Sequence, residues 1–200
     1  MKSTGNSNVK NSRYEVRIAG SGGQGVILAG IMLAEAAILD GRHVAQSQIY
    51  GPETRGGNSI AEVVLSDTEI DYPRALALDL LIALTQEACE RNLPDMKAEG
   101  SVIVDSDLVN GVLWGRAISL PFGQIAERAG EPRAINMAAL GAIASFCPGV
   151  SRRSLSRVMA ERLPPDKALA NLLAFDEALK LARKLKGSLR TVETKEDLEI

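Results

Sequence analysis

Gly20-Ser21-Gly22-Gly23-Gln24-Gly25 lies between two stretches of different periodicity. Ahead of it, Tyr14-Glu15-Val16-Arg17-Ile18-Ala19 alternates and ends apolar, as a strand does. Behind it, Val26 to Asp40 is rich in Ala, Leu and Ile and is closed by Gly41, the pattern of a helix and its stop. The glycines therefore form a tight strand-to-helix turn, with Gly20, Gly22 and Gly25 in G-x-G-x-x-G spacing. Such a turn brings backbone close to a ligand and aims free N–H groups along the new helix axis, which suits an anion such as phosphate. A second reading needs no ligand. Ala29, Gly30, Ala34 and Ala37 are small enough to let the helix lie close on a sheet, and the turn glycines serve that packing too.

A dinucleotide site needs more than the turn. It places an acid at the end of the second strand, about 20 residues on, to hold the ribose. Here the second strand reads His43-Val44-Ala45-Gln46-Ser47-Gln48-Ile49-Tyr50 and ends on Tyr50 and Gly51. Asp40 falls before it and Glu53 beyond it, so ordinary NAD binding is disfavoured. The loop that follows, Gly51-Pro52-Glu53-Thr54-Arg55-Gly56-Gly57-Asn58, sets an unlike-charge pair among turn formers. Arg55 braces the loop against Glu53, or it forks two hydrogen bonds to a phosphate or to a partner chain. The expectation is that both loops follow the carboxyl ends of adjacent strands, where open α/β sheets bind ligands.

The rest of the chain reads as α/β. Ser59 to Leu65 follows too soon for a helical crossover and is expected to pair antiparallel, which makes the sheet mixed. Strands are expected at Asp79–Thr85, Ser101–Asp105 and Ala117–Pro121. Helices are expected at Arg74–Ala77 (short), Gln86–Asn92, Phe122–Ala129, Ala134–Phe146, from Ser151 as cap to Arg162, and Asp166–Lys186. Ala138, Ala139, Gly141, Ala142 and Ala144 imply close packing, against the sheet or against another subunit. Lys180, Arg183, Lys184 and Lys186 gather where cations favour the end of a helix. The fold expected is a three-layer α/β/α arrangement, Rossmann-like, with a mostly parallel, mixed sheet and a helical C-terminal part. Residues 1–13 are read as a flexible arm, 14–187 as one domain and 188–200 as a polar tail.

Composition narrows the function. A net charge of −2 argues against a nucleic-acid binder working by bulk electrostatics. Met1 to Ser12 has no apolar core, and the uncharged run Ile18 to Ala34 is broken by glycines and too short to span a bilayer. A cytoplasmic protein is expected. Cys89 and Cys147 stand alone and read as buried, reduced thiols, too few for an iron–sulfur cluster. Asp105 and Asp107 lack a third ligand for a metal. The single histidine, His43, has no Ser or Cys partner in a triad. No catalytic set and no metal site emerges.

Taken in order, Arg17-Ile-Ala-Gly-Ser-Gly-Gly-Gln-Gly25 and Gly51-Pro-Glu-Thr-Arg-Gly-Gly57, supported by Asp79-Leu-Leu-Ile-Ala-Leu84, Leu120-Pro-Phe122 and Asn136-Met-Ala-Ala-Leu-Gly141, carry a resemblance. From about Val16 to Leu185 the chain resembles the gamma subunit of the 2-oxoacid:ferredoxin oxidoreductases. The resemblance implies one share of a divided reaction, in which a 2-oxoacid is oxidatively decarboxylated to its acyl-CoA and electrons pass to ferredoxin. It implies no cofactor on this chain. Thiamine diphosphate and Mg would belong to alpha and beta chains, and iron–sulfur clusters to beta or a ferredoxin-like delta chain. Gly20, Ser21, Gly22, Gly23, Gln24, Gly25, Glu53, Arg55, Gly56 and Gly57 become the residues expected to meet CoA or a neighbouring chain. The unfused length looks most like the 2-oxoglutarate type, with pyruvate, branched-chain and indolepyruvate types similar. The rival readings are a stand-alone dehydrogenase, which lacks the acid at Tyr50, and a nucleotide-sensing scaffold. A homodimer through surfaces meant for partners is a further expectation for the isolated chain.

Overall fold

Alternation and apolar runs produce six strands and six helices among the described residues, 13–51 and 57–196 of a computed structural model. They run β1 (Tyr14–Ser21), α1 (Val26–Leu39), β2 (His43–Tyr50), β3 (Asn58–Ser66), β4 (Leu78–Ala83), α2 (Gln86–Asn92), β5 (Met96–Asp105), β6 (Ala117–Leu120), α3 (Phe122–Arg128), α4 (Ile135–Phe146), α5 (Arg152–Arg162) and α6 (Pro165–Glu196). The sheet order is β2-β3-β1-β4-β5-β6. β1, β4, β5 and β6 are parallel, and β3 is antiparallel to both β1 and β2. The mixed, mostly parallel α/β sheet is as expected. One detail is corrected: β1 and β2 are not adjacent, because β3 returns between them.

Alternation along each strand divides the core. Val16, Ile18, Ala61, Val63, Leu80, Ile82 and Ile103 face the layer built by α1, α3, α4, α5 and α6. Ala19, Val64, Leu81, Val102 and Val104 face α2 and the coil segments. Gly30 lets α1 close on β3, since a Cβ there would stand 2.5 Å from the Ala61 Cβ. Ser151 caps α5 as expected, its Oγ accepting from Ser154 N at 3.1 Å.

Charge is buried on the α2 face. Arg17 and Glu62 are register partners on β1 and β3. Glu62 is fully buried; its Oε1 accepts Arg17 Nη2 at 2.7 Å, and its Oε2 accepts Ser47 Oγ at 3.0 Å and Arg74 Nε at 3.1 Å. Arg17 also donates to Asn92 Oδ1 at 2.9 Å and pairs with Asp95.

Three other expectations change. Residues 74–77 are not helical, because Glu15 Oε2 takes the N–H groups of Leu76 and Ala77, at 2.6 and 2.9 Å, and holds the segment open. The small residues of α4 serve a third neighbour beside the sheet: Gly141 lies against α6, where a Cβ would overlap the Phe175 carbonyl. The last helix runs on to Glu196, past the end expected at Lys186, so Lys180, Arg183, Lys184 and Lys186 are interior to it and the dipole argument fails. Lys186 instead donates to Ser145 O at 2.9 Å and lies 4.7 Å from the centroid of the Phe146 ring. The arm assigned to residues 1–13 falls, up to residue 12, outside the described residues.

Two glycine substitutions should shift stability in opposite directions. Gly141→Ala overpacks the α4–α6 contact and is expected to cost about 1–3 kcal/mol. Gly187→Ala, in α6 with open space around its Cβ, should gain roughly 0.5–1 kcal/mol. Urea denaturation of both variants reads the two signs.

Candidate functional site

The glycine turn is held from three sides. Gly22 N donates to Gly57 O at 2.9 Å, which ties the turn to the end of the β2–β3 loop. Gln24 folds back, its Oε1 accepting Ser21 N at 2.7 Å and its Nε2 reaching Leu84 O at 3.4 Å, beyond the end of β4. Asn136, in the first turn of α4 and buried, donates from Nδ2 to Gly25 O at 3.3 Å. Gly20 is required by closeness, since a Cβ would stand 2.5 Å from Gln24 Oε1. Gly25 is required twice. It caps α1 in the left-handed region, at φ 72°, and its Cβ would overlap the Asn136 carboxamide. Gly23, at φ 95°, faces open space.

These contacts sort the donors. The N–H groups of Ser21, Gly22 and Gln24 are spent within the protein, that of Gln24 on Ser21 O at 3.2 Å. No side-chain cap closes the N-terminus of α1. Anion-facing capacity therefore centres on the exposed Gly23 and on the first turn of α1 from Gly25 onward. Ser21, Gly22 and Gln24 shape the site rather than supply backbone donors to it. Gly57 joins the turn by its carbonyl, whereas Glu53, Arg55 and Gly56 lie outside the described residues. Gly51 and Gly57, the described ends of the second loop, share one edge of the sheet with the glycine turn, with β3 between β1 and β2. That insertion also gives a steric reason against a dinucleotide: the place beside β1 where the ribose acid belongs is taken by Asn58 and Ser59, paired with Ser21 and Gly20.

Asn136 is the residue that sequence reasoning did not assign to the turn. It stood in a quoted motif, but nothing local signals a contact across 111 positions.

Other titratable groups have structural tasks. Burial pushes the Asp105 carboxyl above the usual range, against the hydrogen bonds it accepts from the N–H groups of Asp107 and Phe122. Burial raises both thiols, that of Cys147 to about 12, so neither is a ready thiolate. No group of three or more His, Cys, Asp or Glu able to hold a metal occurs among the described residues. Among the same residues, no helix is long and apolar enough to cross a membrane.

Among the described residues, the site offers a few backbone donors at a strand-to-helix turn of an α/β sheet. Comparison with known proteins names the setting. The pyruvate ferredoxin/flavodoxin oxidoreductase family model matches residues 15–181. The 2-oxoglutarate synthase subunit KorC of Methanocaldococcus jannaschii is 39% identical over 179 residues, covering 86% of this chain and 96% of its own. The keto/oxoacid ferredoxin oxidoreductase gamma subunit of Geobacter sulfurreducens superposes with a TM-score of 0.78 at 39% identity, over 86% of this chain and 97% of that one. The 2-oxoglutarate:ferredoxin oxidoreductase of Magnetococcus marinus, solved with 2-oxoglutarate, coenzyme A and succinyl-CoA bound, superposes at 0.77 and 26% identity, over 88% of this chain and 32% of that one. The chain belongs to the pyruvate ferredoxin/flavodoxin oxidoreductase family, as a subunit of a multi-subunit oxidoreductase.

Two predictions test the site. Gly23→Ala should cost only the left-handed backbone penalty, about 1–2 kcal/mol, and Gly25→Ala should cost more. Asn136→Ala combined with Gly25→Ala should recover part of that excess, read as coupling in a denaturation cycle. For Asp105 the native state holds its proton to higher pH than the unfolded chain, whose carboxyl titrates at roughly 3.9. Stability owed to this group is thus present at low pH and lost as pH rises through the raised value. Asp105→Asn keeps an acceptor and should remove that loss, so its stability relative to the unmodified chain should climb across mildly acidic pH.

Proposed function

We propose that this chain is the gamma subunit of a 2-oxoglutarate:ferredoxin oxidoreductase and forms one wall of the passage through which CoA reaches the reacting centre. The nearly end-to-end match to 2-oxoglutarate synthase subunit KorC carries this reading. In the reaction, CO2 leaves the 2-oxoacid, the CoA thiol takes the acyl group, and the electron pair passes to ferredoxin. Thiamine diphosphate with its Mg ion, and the iron–sulfur clusters, are assigned to alpha, beta and delta chains of a cytoplasmic complex, where they supply decarboxylation and the electron route. Two high-pKa buried thiols fit a chain that ligates no cluster. This chain's share is positional. The first turn of α1 and Gly23 offer N–H groups and a helix dipole to a CoA phosphate. Arg55, two positions before Gly57 in the sequence, supplies the charge.

The test is reconstitution. The alpha and beta chains should turn over 2-oxoglutarate faster, per KM, than pyruvate, branched-chain oxoacids or indolepyruvate once this chain is added. This chain alone should reduce no acceptor. Arg55→Ala should raise the KM for CoA roughly ten-fold, the worth of one charge-assisted hydrogen bond, and leave the KM for the oxoacid unchanged. An unchanged KM for CoA in an intact complex removes the phosphate role from this loop.

A further inference from the structure

Among the described residues β2 is the outermost strand on its side of the sheet, and it lacks the charge, proline or bulge that keep such a strand from pairing. His43-Val44-Ala45-Gln46-Ser47-Gln48-Ile49-Tyr50 contains no lysine, arginine, acid or proline. It pairs with β3 over all 8 residues without a register shift. Long, flat, uncharged edges template the addition of another strand, and proteins that must stay apart blunt them with charge, proline or a bulge.

The hydrogen bonds show which atoms this edge offers. Gly51 N donates to Asn58 O at 2.7 Å, one step beyond the Tyr50–Ser59 partnership. Bonded and non-bonded pairs alternate along an antiparallel ladder. Ile49, Ser47, Ala45 and His43 therefore spend their backbone groups on β3. Tyr50, Gln48, Gln46 and Val44 turn theirs outward.

We propose that this edge is a two-fold interface between two copies of this chain, β2 pairing antiparallel with β2 and joining the two six-stranded sheets edge to edge. Only outward residues can form bonded pairs, which fixes the register. An axis through Ser47 sets Val44 against Tyr50 and Gln46 against Gln48 of the second copy and uses all four outward residues of each strand. An axis through Gln46 leaves Tyr50 without a place in the ladder. The Ser47 register also matches side chains: Val44 meets the Tyr50 ring, Ala45 meets Ile49, amide meets amide, and Ser47 meets itself. Aromatic, β-branched and polar cross-strand pairs of these kinds stabilise antiparallel sheets. No like charges meet, because the strand carries none. The pairing covers Tyr50, a large ring left 63% exposed in one copy. The opposite edge, β6, has only 4 residues. The self-complementary register selects a second copy over a foreign strand, and an isologous two-fold contact closes after one pairing.

This inference is independent of the CoA reading. Sedimentation equilibrium of the full chain across the micromolar range should return twice the monomer mass. Gln46→Pro removes an outward N–H and no bond to β3, at an edge position where proline is tolerated, and should give a folded monomer. Gln46→Glu with Gln48→Glu sets like charges opposite each other in both halves and should weaken the dimer roughly ten-fold or more, an effect that salt relieves. Gln46→Lys with Gln48→Glu sets unlike charges across the same pairs and should restore it. An unmodified chain that stays monomeric overturns the proposal, and so does a dimer indifferent to both charge pairs. If the lysine–glutamate pair weakens association as much as the double glutamate does, the Ser47 register is wrong. Should Gln46→Pro fail to fold, the charge series decides alone.

Discussion

The return of β3 between β1 and β2 is the constraint on which the other features rest. Because it runs antiparallel to both neighbours, its start lies beside the ends of β1 and β2, so Gly57 can accept from Gly22 and the loop is moored to the glycine turn. The same placement sets Glu62 opposite Arg17 on one side and Ser47 on the other. A fully buried carboxylate there is tolerable because four donor groups from three side chains converge on it: two from Arg17, with Arg74 and Ser47 completing the set. Removing Arg17, the buried partner of the pair, would break it at about 3–5 kcal/mol. Moving β2 outward to the edge is the third consequence.

Much of this was legible in the chain. Periodicity located β1, α1, β2, α2 and α4 to within a residue or two, since each has one face or a whole surface in the core. The short interval after Tyr50 required an antiparallel β3. What periodicity does not carry is partnership. It said that β3 pairs with a neighbour, not that it has two, and so the two loops were put on adjacent strands. The small residues of α4 announced a close approach without naming α6 as the neighbour. Arg74 to Ala77 has helical composition, yet the decisive group is the Glu15 carboxylate about 60 positions away. The site was legible as a turn, whereas the spending of its N–H groups depends on Gly57, Leu84 and Asn136, which come from three other elements.

That spending alters what a G-x-G-x-x-G stretch means here. In a dinucleotide fold the turn opens between two parallel strands and their helices, and an acid on the next strand reads the sugar. In this chain the next strand is antiparallel β3, and the donors nearest it are already engaged. What remains is a narrow patch at Gly23 and the uncapped start of α1. Such a patch can steady a phosphate, at roughly 0.3–1 kcal/mol per exposed interaction. That is too little to hold a cofactor unaided. It suits a chain that shares its ligand with others, as the function proposed above has it.

α4 shows why the patch cannot shift alone. Its first turn carries Asn136, bonded to Gly25; its middle carries Gly141, pressed on the backbone of α6; its last residue, Phe146, accepts from Tyr14 Oη at 3.2 Å and lies under Lys186. One helix of 12 residues thus touches the turn at one end of β1 and the first residue of β1 at the other. A close-packed helix does not stretch between such anchors. A displacement of the turn would have to carry α4, and with it α6, or break the Asn136 bond. The turn is therefore preorganised by the layer beneath it, and its geometry is set before any partner chain arrives.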